Sequence, residues 1–407
     1  MSTTPENTVE LLAAPDRDVV AAELTAEFEN AYGEAPQGVW SAPGRVNLIG
    51  EHVDYTGGLC LPFALPHRTS VALTLRQDDR IRLRSRQSDD VFDGRLADVG
   101  PNRPAGWVAY AAGVAWALGV GRGFDAVVDG HVPLGSGLSS SAALSCSVGV
   151  ALADLTGLPL DDAGRAMLAG ACVQAENVVA GANTGGLDQS ASLRCREGAG
   201  ILLDCRDGSA HQIPLDLAGA GLEILVIDTR AEHSHSGGEY GERRAAVEEC
   251  ARLLGVPTLR EVDPADLDRA LDRVGTEPGG AVLQQRLRHV VTEIDRVSRA
   301  ADLLRGNDLR TVADQLGALL DGSHESLRHD YQVTCTELDL AVDTARAAGA
   351  LGARMTGGGF GGSAIALLSA GTSAAVAARV GTAFADAGLR APQFLAAVPA
   401  AGAGRDR

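Results

Sequence analysis

The sequence predicts an α+β fold of two closely packed domains, on three observations. Segments with the two-residue period of half-buried strands mix with segments of helical period, without the strict strand–helix–strand repeat of a doubly wound sheet. A stretch from Tyr240 to about Ala348 is mostly helical in pattern. No Pro/Ser-rich linker or internal repeat divides a chain whose 407 residues suit roughly two to three domains.

The first residues read as a loose tail, taken here as 1–15. Val20, Leu24, Phe28 and Tyr32 then stand four apart, one apolar stripe of a helix that Gly33 stops. From Val71 to Ser85, VALTLR and IRLRS alternate apolar with polar residues as half-buried strands do, with QDD as the turn. The charge-free run Pro104–Gly121 is marginal in length for a membrane span and rich in Ala and Gly, so it reads as a buried core helix. FDAVVDGHVP is a strand that leads into a glycine loop and the apolar stretch Ala142–Leu155. EILVIDT (223–229) is short, apolar and β-branched, as a buried strand is. Polar breaks at 275–280 and 306–308 divide the long helical stretch, and SAIALL (363–368) and FLAAVP (394–399) are late strands. CRDGSAHQIP has loop composition, which sets the domains at 16–208 and 209–400, with 401–407 as a second flexible tail.

Charge excludes several chemistries. All 35 cationic side chains are arginine, against 53 acids and a net charge of −18. Without lysine there is no Walker A lysine, no protein-kinase strand lysine and no Schiff-base amine. The acidic balance argues against nucleic-acid and anionic-membrane partners. Seven scattered cysteines with no C-x-x-C pair fit reduced thiols. The N-terminus carries acids where a signal peptide carries basic residues. A soluble cytoplasmic monomer is expected.

Glycine, 50 residues in all, gathers at three places that carry chemistry. SAPGRVNLIGEHVDYTGG (41–58) packs Arg45, Glu51, His52 and Asp54 between two glycine turns. Such polar density fits a site that hydrogen-bonds a polyhydroxyl ligand, or a solvated turn with an internal Arg45–Glu51 salt bridge. HVPLGSGLSSSAAL (131–144) brings Gly135 and Gly137 before serines at a helix start, where free N–H groups and the helix dipole make an anion site. N-capping explains one serine but not three behind a G-x-G loop. Lacking lysine, this loop must leave triphosphate charge to Mg²⁺, arginine and backbone. MTGGGFGG (355–362) matches G-x-G-x-x-G formally, but a strand follows where the dinucleotide fingerprint needs a helix. A glycine loop between two strands fits better, either as a close approach of backbone or as a tight hairpin. Glu176 and Asp188, in QAENVVAGANTGGLDQSAS (174–192), are the carboxylates available for Mg²⁺ and for a base, although single acids on helices are commonly solvated or caps. His233 and His235 form an H-x-H without a third ligand and read as a surface loop.

Together these segments resemble the galactokinases within the GHMP kinases. GRVNLIGEHVDYTGG (44–58) is similar to the galactokinase signature, and PLGSGLSSSAAL and MTGGGFGG are similar to the second and third motifs of the wider family. QAEN, GGLDQ, EYGERRAAVEEC, LRHVVTEIDR and GSHESLRHDYQVTCTELDLAV extend the likeness in order over roughly residues 36–370. The resemblance implies a two-domain GHMP kinase fold with the active site in the cleft between the domains. It implies transfer of the γ-phosphate of ATP to the anomeric hydroxyl of galactose. By that likeness ATP lies over Gly135, Ser136, Gly137, Leu138, Ser139, Ser140 and Ser141, and Ser141 and Glu176 hold Mg²⁺. Asp188 is the base, and Arg45 stabilises charge that builds during transfer. Glu51, His52, Val53, Asp54, Gly185 and Tyr240 stand where galactose is bound. Val53, Thr56, Leu187 and Thr184 depart from the usual residues, which leaves sugar breadth open. A kinase for N-acetylgalactosamine or another GHMP substrate is the nearest alternative. A non-catalytic galactose sensor is the other, disfavoured because SSSAAL is uninterrupted and both acids are present.

Overall fold

Asp16 starts the first helix, because its carboxylate accepts the N–H groups of Asp18 and Val19; α1 (Arg17–Tyr32) then runs until Gly33 turns left-handed. Its buried residues Val20, Ala21, Leu24 and Phe28 are the expected stripe, packed on Val39, Ala72 and Val127 of the sheet behind it. The structure, a computed structural model, describes residues 10–231 and 236–407. The expected surface loop at His233 and His235, and most of the expected N-terminal tail, lie outside the described residues.

The first half builds β1 (Gly38–Asn47), β2 (Leu59–Cys60), β3 (Pro62–Leu75), β4 (Arg80–Ser85), β5 (Ser88–Arg95), α2 (Trp107–Ala117), β6 (Phe124–Gly130), α3 (Ser140–Thr156), α4 (Asp162–Gln174) and α5 (Leu187–Arg194). β3 and β4 are the two expected strands, but they are not neighbours. β6 lies between them, antiparallel to β3 and parallel to β4. Register pairs Arg82 with Asp125 across β4 and β6, and the Arg82 guanidinium donates to that buried carboxylate at 2.6 Å, so charge as well as pattern fixes the order. α2 is the expected core helix from the charge-free run. No helix of the described residues is long and apolar enough to cross a membrane.

The second half builds β7 (Ala199–Asp204), β8 (Ser209–Pro214), β9 (Leu222–Asp228), α6 (Ser236–Leu254), α7 (Leu267–Gly275), α8 (Gly280–Gly306), α9 (Leu309–Ser326), α10 (Thr336–Ala347), β10 (Gly352–Thr356), β11 (Ser363–Ser369), α11 (Ser373–Asp386), β12 (Gln393–Ala397) and β13 (Gly404–Arg405). β9 is the buried strand expected at 223–229, paired with β11 and β12 in the order β10-β11-β9-β12. The helical stretch breaks between α7 and α8 and between α8 and α9, close to the polar interruptions.

Three expected boundaries differ. The described residues 10–15 are not a loose tail: Leu12 N donates to Phe394 O at 2.8 Å, and Leu12 bridges to Leu395 of β12. β8 forms from residues read as a loop, pairing with β7 in a hairpin that β2 extends to three strands, so a cut at 208 falls inside one supersecondary unit. Hairpin pairing and the burial of Ile213 decide this, where composition favoured a loop. Residues 401–407 are no tail: β13 pairs with β1, Ala403 is buried, and the Arg405 guanidinium lies 5.0 Å over the Trp40 ring. The Ala/Gly-rich sequence reads as loose, yet Gly402 fits where a Cβ would lie 2.8 Å from the Leu193 carbonyl oxygen.

Candidate active site

Three glycine segments meet although they are far apart in the chain. A Cβ on Gly44 would stand 2.6 Å from the Leu138 carbonyl oxygen, and one on Gly357 would stand 2.9 Å from that of Gly137. Backbone approach this close is what the absent side chains permit. The contacts are tied by hydrogen bonds: Arg45 N donates to Leu138 O at 3.1 Å, and Ser363 Oγ donates to Ser136 O at 2.7 Å. MTGGGFGG is a loop between antiparallel β10 and β11, as the following strand required.

Asp188, in the first turn of α5, sits at this junction. Its Oδ1 accepts from Arg45 Nε at 2.8 Å and pairs with Nη2 at 2.7 Å, and its Oδ2 accepts from Ser139 Oγ at 2.6 Å. Arg45 Nη1 donates to Gly137 O at 2.6 Å, so one guanidinium links the carboxylate to the second glycine loop. Arg45, Glu51, His52, Asp54, Asp188 and Tyr240 line one cavity of about 390 Å³, with Gly181–Asn183 and Gly357–Gly358 closing its sides.

Glu51 does not pair with Arg45, so the solvated-turn reading is corrected. It is buried: Oε1 accepts from Gly357 N at 2.7 Å and Thr356 Oγ1 at 3.1 Å, and Oε2 accepts from Asn47 Nδ2 at 2.6 Å. Arg354 stands behind it, fully buried, 3.4 Å from Glu51 Oε1 and 4.0 Å from the equally buried Glu293. Glu293 also accepts from Gly50 N, Ser323 Oγ and Arg296 Nε; burial raises its carboxyl, but the charges of Arg296 and Arg354 outweigh it and hold it down at about 2. Asp54 is pushed up to about 6 by burial and by the charges of Asp188 and Glu51. Gly185 does not line the cavity; it passes against Asp54, where a Cβ would lie 2.0 Å from Oδ2. Val53 is also apart from the cavity, its side chain in the core and its carbonyl accepting from Thr56 Oγ1 and Gly58 N. Tyr240 lines the cavity from α6.

The other end starts at α3. Ser136 is turned inward, donating to Pro133 O, and Leu138 is core. Ser139 is not a side-chain cap: with φ of 64° it takes the left-handed conformation that non-glycine residues avoid, and its hydroxyl goes to Asp188. Ser140 and Ser141 open the helix half-buried, beside N–H groups with no intrahelical partner. Glu176, on a π-turn (Ala175–Val179), is buried among neutral partners, its Oε1 accepting from Gln189 Nε2 at 2.8 Å and Ser145 Oγ at 3.1 Å. Burial raises its carboxyl to about 7, against the hydrogen bond from Gln189.

Family models place these segments. The galactokinase galactose-binding signature matches residues 26–75, the GHMP kinases N-terminal domain matches 109–196, and the GHMP kinases C-terminal model matches 300–386. The chain is 50% identical over 393 residues to the galactokinase of Streptomyces coelicolor, covering 95% of this chain and 99% of that one. The chain belongs to the galactokinase family. A human member of this family is 40% identical over 87% of this chain and 90% of its own length. A Lactococcus lactis galactokinase solved with galactose superposes with a TM-score of 0.87 at 32% identity, over 95% of this chain and all of that one. Methanococcus jannaschii mevalonate kinase, at 16% identity and a TM-score of 0.58 over 89% of this chain and 98% of its own, shares the GHMP kinase fold.

Sequence reasoning missed Arg354 and Glu293, whose signal is a charge in an otherwise apolar strand and on a buried helix face. It also missed Asn183, a polar residue inside a glycine run, and gave no role to Tyr55 and Tyr331, which stand inside the quoted motifs.

Proposed function

We propose that this chain is a galactokinase, which transfers the γ-phosphate of ATP to the anomeric hydroxyl of α-D-galactose to give α-D-galactose 1-phosphate and ADP. The observation that carries the reading is Asp188, held between Arg45 and Ser139 at the wall of a cavity whose other polar groups suit a polyol. Glu51, Asp54 and Tyr240 present acceptors and a phenolic hydroxyl to the sugar, and the first turn of α3 presents N–H groups to phosphate.

Asp188 removes the proton of the C1 hydroxyl as that oxygen bonds to the γ-phosphorus. The bond from phosphorus to the β,γ-bridging oxygen breaks, and its electron pair leaves with ADP. The proton stays on Asp188 until product departs. Arg45 already contacts both Asp188 and the carbonyl of Gly137, so its charge lies along the path on which negative charge grows. Because both reactants are positioned, no covalent enzyme intermediate is required.

The residues present fit Mg²⁺. Ser141 and Glu176 offer the hydroxyl and carboxylate oxygens that a hard cation takes, and Glu176 is a buried acid whose protein partners are neutral. When bound with the nucleotide, Mg²⁺ would neutralise charge on the phosphate oxygens. We place the reaction in the cytoplasm.

A panel of sugars with ATP and Mg²⁺, read by phosphorus and proton NMR, tests the reading. Galactose is expected to give one product with an α-anomeric phosphate. Phosphate on another carbon, or N-acetylgalactosamine turned over at equal or greater kcat/KM, would replace it with a different GHMP kinase activity.

A further inference from the structure

The ring of His52 lines the sugar cavity, yet both of its nitrogens are taken by protein. Nε2 lies 3.1 Å from Gly358 O, and a carbonyl only accepts, so Nε2 carries the hydrogen. Nδ1 is then a lone pair, and the Tyr55 hydroxyl 3.3 Å away is its donor. Tyr55 in turn accepts from the Tyr331 hydroxyl at 2.5 Å, the one arrangement left once Tyr55 has donated its own hydrogen. The result is a directed chain, Tyr331 to Tyr55 to His52 to Gly358.

This chain joins parts distant in sequence. Tyr331 ends a π-turn (Leu327–Tyr331) whose backbone is held from two helices, by Arg243 Nε donating to Tyr331 O at 3.0 Å and by Arg286 donating to Asp330 O. Two residues on, Val333 O accepts from Phe360 N at 2.7 Å, so the same turn also grips the third glycine loop. The Tyr331 ring packs at a tilt against two imidazoles, with centroids 4.9 Å from His52 and 4.4 Å from His289, whose Nε2 lies 3.1 Å from Glu51 O. His52 itself has φ of 60°, a strained conformation for a residue with a side chain, so its surroundings must hold it. Burial lowers its pKa to about 3, which agrees with a neutral ring.

We propose that the His52 ring is a positioning group whose nitrogens are committed to protein, and that Tyr55 and Tyr331 fix its tautomer and clamp the first motif to the third glycine loop. The proposal deepens the galactokinase reading of the cavity and rests on it for its kinetic part. Tyr55→Phe removes both the donor to Nδ1 and the acceptor of Tyr331, and Tyr331→Phe removes only the outer link.

For Tyr55→Phe the galactose KM rises about 5- to 30-fold, with kcat and the ATP KM changed less than about threefold. Tyr331→Phe shows the same split at a smaller size. The decisive readout is the ring itself, by long-range proton–nitrogen NMR of labelled protein. In the wild type His52 is the Nε2–H tautomer with and without saturating galactose, and in Tyr55→Phe the Nδ1 resonance loses its hydrogen-bonded shift. An Nδ1–H tautomer, a change of tautomer when galactose binds, or an unshifted Nδ1 in Tyr55→Phe would overturn the proposal. The sugar-free spectra decide it even if galactose proves not to be the substrate, so failure of the relay and failure of the activity are told apart.

Discussion

Charged side chains at the Glu51 end of the cavity are buried and bonded to one another, whereas the Ser141 end offers helix N–H groups, half-buried hydroxyls and one acid among neutral partners. At the first end Glu51 and Glu293 take most of their hydrogen bonds from backbone and neighbouring side chains, with Arg354 between them, before any ligand arrives. At the second, charge balance is left for the nucleotide and its cation to complete. A sugar is recognised by the direction of its hydroxyls, which a rigid acceptor set reads well. A triphosphate brings its own charge, so unpaired N–H groups and a helix dipole suffice. Asp188 stands at the seam, bonded to Arg45 from the first motif and Ser139 from the second.

Chemistry at that seam gives the largest expected effect. Asp188→Asn keeps the size of the side chain and an acceptor for Arg45 but cannot take a proton. A coupled ADP assay with galactose should show kcat lowered at least about 10²-fold with the thermal transition little changed. Turnover at the wild-type rate would remove Asp188 from the chemistry and leave it a brace between the two motifs.

The rigid end should answer in stability. Arg354→Met deletes the cation that stands between Glu51 and Glu293; Arg296 still pairs with Glu293, but Glu51 stays buried with no ion-pair partner among the described residues. Breaking a buried pair from one side costs about 3–5 kcal/mol, measured here by denaturant unfolding. A loss under about 1 kcal/mol would mean that Arg296 and the hydrogen bonds from Gly357, Thr356, Ser323 and Gly50 hold the acids without Arg354.

The same contrast sets what could be read from the chain. The phosphate end is written in local sequence, because G-x-G before serines requires only one loop and one helix start. The Glu51 end is written in pairs more than 240 residues apart, such as Glu51 with Gly357 and Gly50 with Glu293, and no local pattern shows which acid meets which base. Residue types nominated Glu51, and the adjacent Arg45 looked like its partner. The fold gave Arg45 to Asp188 instead. Strand identity was legible from alternation at β3 and β4, but the insertion of β6 between them was not, since alternation marks a face and never a neighbour. The terminal strand β13 was missed because two residues of Gly and Arg have no period, and pairing with β1 alone makes them a strand.

Asp54 separates the two ends most finely, because it belongs to the rigid end yet feels Asp188 at the seam. Its carboxyl titrates at about 6 in the folded chain and near 3.8 when unfolded. The folded state therefore holds more protons between those values, and stability falls as pH rises from about 4 to about 6, then stays lower. Asp54→Asn removes that titration. Its unfolding free energy in the absence of sugar should match the wild type near pH 4 and exceed it above pH 6. The difference should be about 1–2 kcal/mol, since the carboxylate faces the water of the cavity and the full shift is screened. The galactose KM should move the opposite way, upward, as a charged acceptor is lost. The gain should shrink in an Asp188→Asn background, because Asp188 is the largest charge acting on Asp54. A stability difference that is flat from pH 4 to pH 8, or one that Asp188→Asn leaves whole, would mean that the two ends do not communicate through charge, and that Asp54 is held by Gly185 packing alone.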